Sequence, residues 1–247
     1  MRLDGVGLLI GIIALWQAVV SFGILSGLFI ASPLEIVSRL AELFLKGIIW
    51  QDIAGTGWRT LVAFAFSACL GTVLGISSGY FKKARHSTEP IIDFLRSMPP
   101  IALLPLFIFA LGIGDWAKIG VSAFMGTMIV TVAAMQGTKQ VKKARLLLAR
   151  KLGLRGRKLF TQFLLPETLP AIFPGYRLAA SLCLILTIMA EMFLGGEFGL
   201  GKRLVDAQML YRVPELYALI IIAGILGYSV NLVLLLLETK TVHWKGK

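Results

Sequence analysis

LLARKLGLRGRKLFTQFLLPETLP, running from Leu147 to Pro170, is a strongly basic, helix-forming segment set between long apolar runs. Of the 247 residues, 57% are hydrophobic and 15% are charged, and the mean hydropathy is +0.83. That is too apolar for an ordinary soluble domain of this length, so lipid is the main solvent and the fold is a helical membrane bundle. A basic segment left outside the hydrocarbon in such a protein faces water and is open to a soluble partner.

A helix rises about 1.5 Å per residue, so about 20 apolar residues cross roughly 30 Å of hydrocarbon. Six runs reach or approach that length: Gly7 to Ile30, Gly57 to Tyr80, Ile92 to Leu111, Lys118 to Met135, Tyr176 to Gly195 and Leu216 to Leu237. Arg96 and the Pro99-Pro100 pair interrupt the third, which predicts a short or broken helix behind a re-entrant turn and leaves five or six spans open. The first run lacks an early basic region and a small-residue cleavage site, so it is expected to stay as a span rather than leave as a signal peptide. Ser32-Pro33 followed by Leu34 to Phe44 predicts a short amphipathic helix on the outer surface. Glycines recur every fourth residue at Gly71, Gly75 and Gly79, and again at Gly23 and Gly27, a spacing that lets helix backbones approach closely.

Orientation follows from the cations. With the N-terminus inside, the cytoplasmic side holds Arg2, Lys82, Lys83, Arg85, nine cations from Lys139 to Lys158, and Lys240, Lys245 and Lys247, sixteen in all. The opposite side holds Arg39, Lys46, Lys202, Arg203 and Arg212, nearly balanced by Glu35, Glu42, Asp52, Glu197, Asp206 and Glu215. The net charge of +12 is therefore a topology signal rather than a nucleic-acid surface.

Catalytic readings are poorly supported. Cys69 and Cys183 lie inside apolar runs without metal-ligand or redox spacing and read as small core residues, while His86 and His243 are isolated loop or tail positions. No Ser/His/Asp arrangement and no HExxH is present. Gly196, Gly201 and Lys202 match a phosphate-binding G-x-x-x-x-G-K, but Arg203 stands where Ser or Thr would hold Mg²⁺, and an apolar run rather than a strand precedes it. A glycine-rich turn leaving the fifth span accounts for it better, so no ATP, metal or other cofactor site is expected in this chain.

Intramembrane polar groups are the remaining candidates. Glu191 lies in the fifth span, where a charged carboxylate costs on the order of 2.5–3.5 kcal/mol at the helix centre. It reads either as a gate or pathway residue together with Met192, or as a residue near the interface that reaches the headgroups or stays protonated. Asp93 and Arg96 share a helical face and are expected to pair. The Pro99-Pro100 break is a second pathway candidate, since irregular backbone at membrane depth is tolerated where it is buried in protein or lines a water-filled route. Asp115-Trp116 reads as an interfacial turn.

In the basic segment, apolar and basic faces alternate around Gly153 and Gly156, which predicts a helix, a glycine turn and a second short helix ended by Leu165-Pro166. Such a segment either lies on anionic lipid or docks a protein, and the turn between two basic helices fits docking better.

Here the residues resemble the permease subunits of ABC importers. Their cytoplasmic motif is E-A-A, three residues, Gly, nine residues, Ile, one residue, Leu-Pro. Ala149 matches the second alanine, Gly153 the glycine, and Leu165-Pro166 the closing pair; Phe163 replaces the isoleucine, and Leu147 and Leu148 replace the glutamate and first alanine. RSMPPIALLPLFIFALGIGDWAKI, from Arg96 to Ile119, and AEMF with GLG, Ala190 to Phe193 and Gly199 to Gly201, resemble the branch that imports nitrate, sulfonates, taurine, bicarbonate or pyrimidine precursors. The resemblance runs from about Thr56 to Leu237.

The resemblance implies an all-α, polytopic type I importer permease of the bacterial inner membrane, with both termini cytoplasmic. It divides the chain into 1–55, an N-terminal span with its surface helix; 56–238, a permease core carrying a coupling segment at 141–170; and 239–247, a cytoplasmic tail. Its implied partners are an ATPase dimer that carries the ATP and Mg²⁺, a second permease copy and an extracytoplasmic solute-binding protein. Leu147, Ala149, Arg150, Leu152, Gly153, Leu165 and Pro166 would form the ATPase dock. The competing readings are an energy-coupling transmembrane component of a vitamin uptake system and a gradient-driven carrier.

Overall fold

A computed structural model of the chain describes residues 3–23 and 30–242. Arg2, Gly27, His243, Lys245 and Lys247 lie outside the described residues. The described residues form helices α1 (Leu3–Ser21), α2 (Pro33–Leu45), α3 (Trp50–Tyr80), α4 (Lys82–Ser97), α5 (Leu104–Leu111), α6 (Asp115–Gln140), α7 (Lys143–Lys151), α8 (Gly156–Leu159), α9 (Leu165–Leu194), α10 (Leu200–Met209) and α11 (Val213–Thr241). A 3₁₀ turn, Pro100–Leu103, precedes α5, and a π-helical turn, Phe160–Leu164, joins α8 to α9.

Two compact units are present, Met1–Thr56 with Glu191–Leu226, and Gly57–Ala190 with Gly227–Lys247. In the first, α2 starts where expected. Ser32 Oγ accepts the Glu35 amide at 3.3 Å and the Glu35 carboxylate accepts the Ser32 amide at 2.8 Å, a reciprocal cap with Pro33 just inside the helix. The Leu34 amide donates to Gln17 Oε1 at 3.1 Å and ties α2 to α1.

In the second unit the glycine stripe of α3 lies against α6, as its spacing predicts. A Cβ on Gly75 would sit 2.4 Å from the Thr131 carbonyl oxygen, so the helices meet almost backbone to backbone. The same device recurs between α6 and α9, where a Cβ on Gly175 would fall 2.4 Å from that of Ala133. Ile76, Val130, Ala134, Ile172 and Ala179 fill the core between these helices.

Among the described residues, four helical stretches are long and apolar enough to cross a membrane: Trp50–Tyr80, Asp115–Gln140, Gly156–Leu194 and Val213–Thr241. A fifth is the pair Lys83–Ser97 and Pro100–Leu111, bent by 95°. This is the broken third span. Met98 and Pro99, each preceding a proline, are extended (ψ 138° and 115°), which ends α4 and turns the chain before the 3₁₀ helix begins. The helix α1 accounts for the start of the first expected run, whose remainder falls partly outside the described residues.

Several expectations change. The second basic helix does not stop at Leu165-Pro166; it widens into the π turn, where the Leu165 amide reaches back to the Phe160 carbonyl, and continues as α9. The wider turn displaces the hydrogen-bond ladder just where Pro166 has no N–H to donate, so the proline is accommodated. The glycine-rich turn after the fifth span leads into α10, a helix that buries Leu200, Leu204 and Ala207 at helical spacing. Cys183 is buried, but Cys69 is exposed, and His86 lies within α4 rather than in a loop.

Candidate functional site

The basic segment is held by its own backbone. At the end of α7 the Gly153 amide donates to the Arg150 carbonyl and the Leu154 amide to the Ala149 carbonyl, both at 3.1 Å, with Gly153 at φ +82°. This is the left-handed glycine closure that satisfies the orphan carbonyls of a helix end, and it seats Leu154 against Ala149 in the bundle core. Arg150 reaches back to Tyr80, donating to its hydroxyl at 2.5 Å with the guanidinium 5.6 Å from the ring centroid. Arg145 Nη1 donates to both Glu167 oxygens at 3.0 and 3.1 Å.

This geometry sorts the expected docking residues. Leu147, Leu152 (73% exposed) and Gly153 face outward. Ala149, at 4% exposed, turns inward, and Leu165 and Pro166 are half-buried. Leu148, at 58% exposed, stands one helical turn from Leu152 and completes the outward apolar face. The sequence-level motif match passed over it, although its i, i+4 relation to Leu152 was readable.

The second constellation lies beside the bend in the third span. A cavity of about 530 Å³ is lined by Arg96, Gln136 and Gln140 together with Val132, Pro174 and Leu178. Arg96 is 3.8 Å from Asp93, the pair expected from their spacing. Pro99 and Pro100 follow Met98, the residue that caps α4, and set the bend one turn beyond Arg96. Gln136 and Gln140 share a face of α6, but no motif marks them.

Glu191 is fully buried, and its carboxyl group is engaged in a closed polar cluster rather than facing a water-filled wall. It accepts from Thr56 Oγ1 at 2.8 Å and from the Gly201 amide at 2.9 Å. The Leu200 amide donates to Thr56 Oγ1 at 2.9 Å and the Gly199 amide to Asp52 Oδ1 at 2.8 Å. Side chains from α3 and α9 thus satisfy the free amides at the start of α10, where partial positive charge favours an acid. Gly199 is required here, because a Cβ would lie 2.7 Å from Glu191 Cδ. Glu191 is thus held between α3 and the start of α10 by these bonds, and Met192 beside it is partly exposed. Arg203 extends the cluster, donating to Asp52 at 2.6 Å and to Glu215 at 3.1 Å, and Arg39 reaches Glu215 at 2.6 Å. The amides that would cradle a phosphate in the G-x-x-x-x-G-K match are thus occupied by the protein's own side chains.

Comparison with known proteins places this geometry. Residues 69–240 match the family described as binding-protein-dependent transport system inner membrane component. The putative aliphatic sulfonates transport permease protein SsuC of Escherichia coli (strain K12) is 32% identical over 236 residues, covering 95% of this chain and 89% of that one. The taurine transport system permease protein TauC of the same organism is 26% identical over 247 residues, covering 98% and 90%. A chain of the MetNI methionine ABC transporter in inward-facing conformations superposes with a TM-score of 0.63 at 19% identity, over 74% of this chain and 93% of that one, and shares the fold. These relatives are transport permeases rather than enzymes. The chain belongs to the family of binding-protein-dependent transport system inner membrane components and is an ABC importer permease subunit.

Proposed function

We propose that this chain forms the substrate pathway of an ATP-driven importer and couples to a separate ATPase through the segment 141–170. The observation that carries this reading is the outward apolar face of Leu147, Leu148 and Leu152, ringed by cations and anchored from behind by Ala149. A large apolar patch in a basic surround, held rigid by a glycine closure, is the surface of a protein dock. Force applied there crosses the Gly153 turn to α8, from which the helix runs unbroken through the π turn into α9. Closure of an ATPase dimer on ATP and Mg²⁺ would then shift the permease between inward- and outward-facing states, provided that ATP and the loaded binding protein favour one state differentially.

In this reading the segment faces the cytoplasm of a bacterial inner membrane, as do both termini, and a second permease copy completes the pathway. Pro99 and Pro100 shape that route, Met192 is a further candidate for lining it, and an extracytoplasmic solute-binding protein delivers the cargo. The Arg96, Gln136 and Gln140 wall supports a small cargo that carries an anionic group with oxygen acceptors, such as the sulfonate group shared by the compounds for which the relatives are named. The guanidinium, 3.8 Å from Asp93, and the two amides offer hydrogen-bond donors to such a group.

The test is co-purification with the cognate ATPase and transport in proteoliposomes. Leu148→Asp with Leu152→Asp should abolish ATPase association while membrane insertion persists. Full substrate-stimulated ATP hydrolysis in that variant would overturn the docking assignment.

A further inference from the structure

A groove of about 410 Å³ lies where the last turns of α3 meet residues 156–164, and none of the docking side chains Leu147, Leu148 and Leu152 lines it. Ile76, Leu159, Phe160 and Leu164 form its apolar walls, and Ser77, Tyr80 and Arg157 its polar part. We infer that this groove binds an anionic phospholipid, with the phosphate at Arg157 and the upper acyl carbons along the apolar wall.

Depth supports a lipid. The Ile76, Ser77 and Tyr80 wall is the last turn of the membrane-length stretch Trp50–Tyr80, where hydrocarbon gives way to headgroups, and residues 156–164 close over it from the basic segment. Charge selects the anionic kind. Arg157 is exposed, Arg150 is bonded to Tyr80 at the rim, Arg155 and Lys158 flank it in sequence, and no lining residue is acidic. The nearby carboxylate of Glu167 is engaged by Arg145. An arginine fork can hold two phosphate oxygens, and the Ser77 hydroxyl can donate to a third or to an ester carbonyl. Basic pockets between helices at the membrane edge bind acidic headgroups for this reason. Because Phe160 and Leu164 belong to the π turn, a bound lipid braces the joint between the basic segment and α9.

The purified chain with its ATPase, incubated with mixed phosphatidylcholine and phosphatidylglycerol vesicles and re-isolated, tests this by mass spectrometry of the retained lipid. Phosphatidylglycerol should be enriched over phosphatidylcholine. Arg157→Gln should cut that enrichment by about fivefold, the share of one near-surface cation. Arg157→Lys should keep most of it, and Ser77→Trp, which fills the groove, should remove it. No enrichment in the unsubstituted protein, or wild-type enrichment in either Arg157→Gln or Ser77→Trp, would overturn the inference. So would loss of a co-purifying protein with lipid unchanged, since the groove would then hold polypeptide.

Discussion

At the residue scale, the chain relies on groups that only make sense with their partners. Glu191 alone reads as an expensive intramembrane acid. With Thr56 and Gly201 in place it is an acceptor that closes the start of α10. Replacing it by alanine strands two buried donors, each worth about 1–3 kcal/mol when left unsatisfied. Glu191→Ala should therefore lower the melting temperature in detergent markedly, and Glu191→Gln, which keeps one acceptor oxygen, should lower it less. Equal melting of Glu191→Ala and the unsubstituted chain would remove that role. Gly75 is constrained more simply. Gly75→Val would drive a side chain into the Thr131 carbonyl, and overpacking of this kind costs about 1–3 kcal/mol or more. A drop in yield of folded protein, with Gly57→Ala as a neutral control at an open position, checks it.

At the element scale, the ends of helices carry the information. Gly153 sits at φ +82°, a conformation that costs an L-residue roughly 1–2 kcal/mol, so Gly153→Ala should fray α7, and Gly153→Trp should also block the dock. Circular dichroism separates the two effects from loss of ATPase association: a normally folded Gly153→Trp with wild-type association would reject the assignment. On α2, the Glu42 carboxyl is held below the usual carboxylate range by its hydrogen bond from Lys46 and then by that from Arg39. The depressed value means that this contribution is present above the ordinary glutamate pKa and disappears as pH falls through the lowered one. The protection factor for amide exchange across the last turn of α2, corrected for intrinsic rates, should stay constant from neutral pH down to the ordinary glutamate range and fall below it. Added salt should weaken the effect, because the pair is exposed.

At the scale of the whole molecule, orientation is the first-order prediction. Sixteen cations against five favour the basic segment inside. A cysteine placed at Leu154's exposed neighbour, Arg155→Cys, should be labelled by an impermeant maleimide only in inverted vesicles, and Lys202→Cys only in right-side-out ones. The reverse pattern would invert the topology and with it the coupling reading. Each variant is read against a chain with both native cysteines replaced, since Cys69 is exposed.

What was legible in the sequence is what local physics writes there. Hydropathy revealed four of the long helices and the bent one; Ser32, Pro33 and Glu35 announced the α2 cap; the fourfold glycine spacing announced close packing along α3. Those features depend on periodicity, capping chemistry and transfer energies that act within a few turns of helix. The roles of Glu191, Asp52, Arg203 and Glu215 were not legible, because a hydrogen bond between residues more than a hundred positions apart leaves no local pattern. The inward turn of Ala149 and the passage of the helix through Pro166 were equally hidden, for they depend on which face the bundle core claims and on a π turn that no propensity encodes. The sequence by itself determined that this is a polytopic helical membrane protein with one basic segment poised in water. Only the tertiary structure decided which residues of that segment face outward and which intramembrane acid closes a helix, since burial and long-range pairing exist only once the helices have packed.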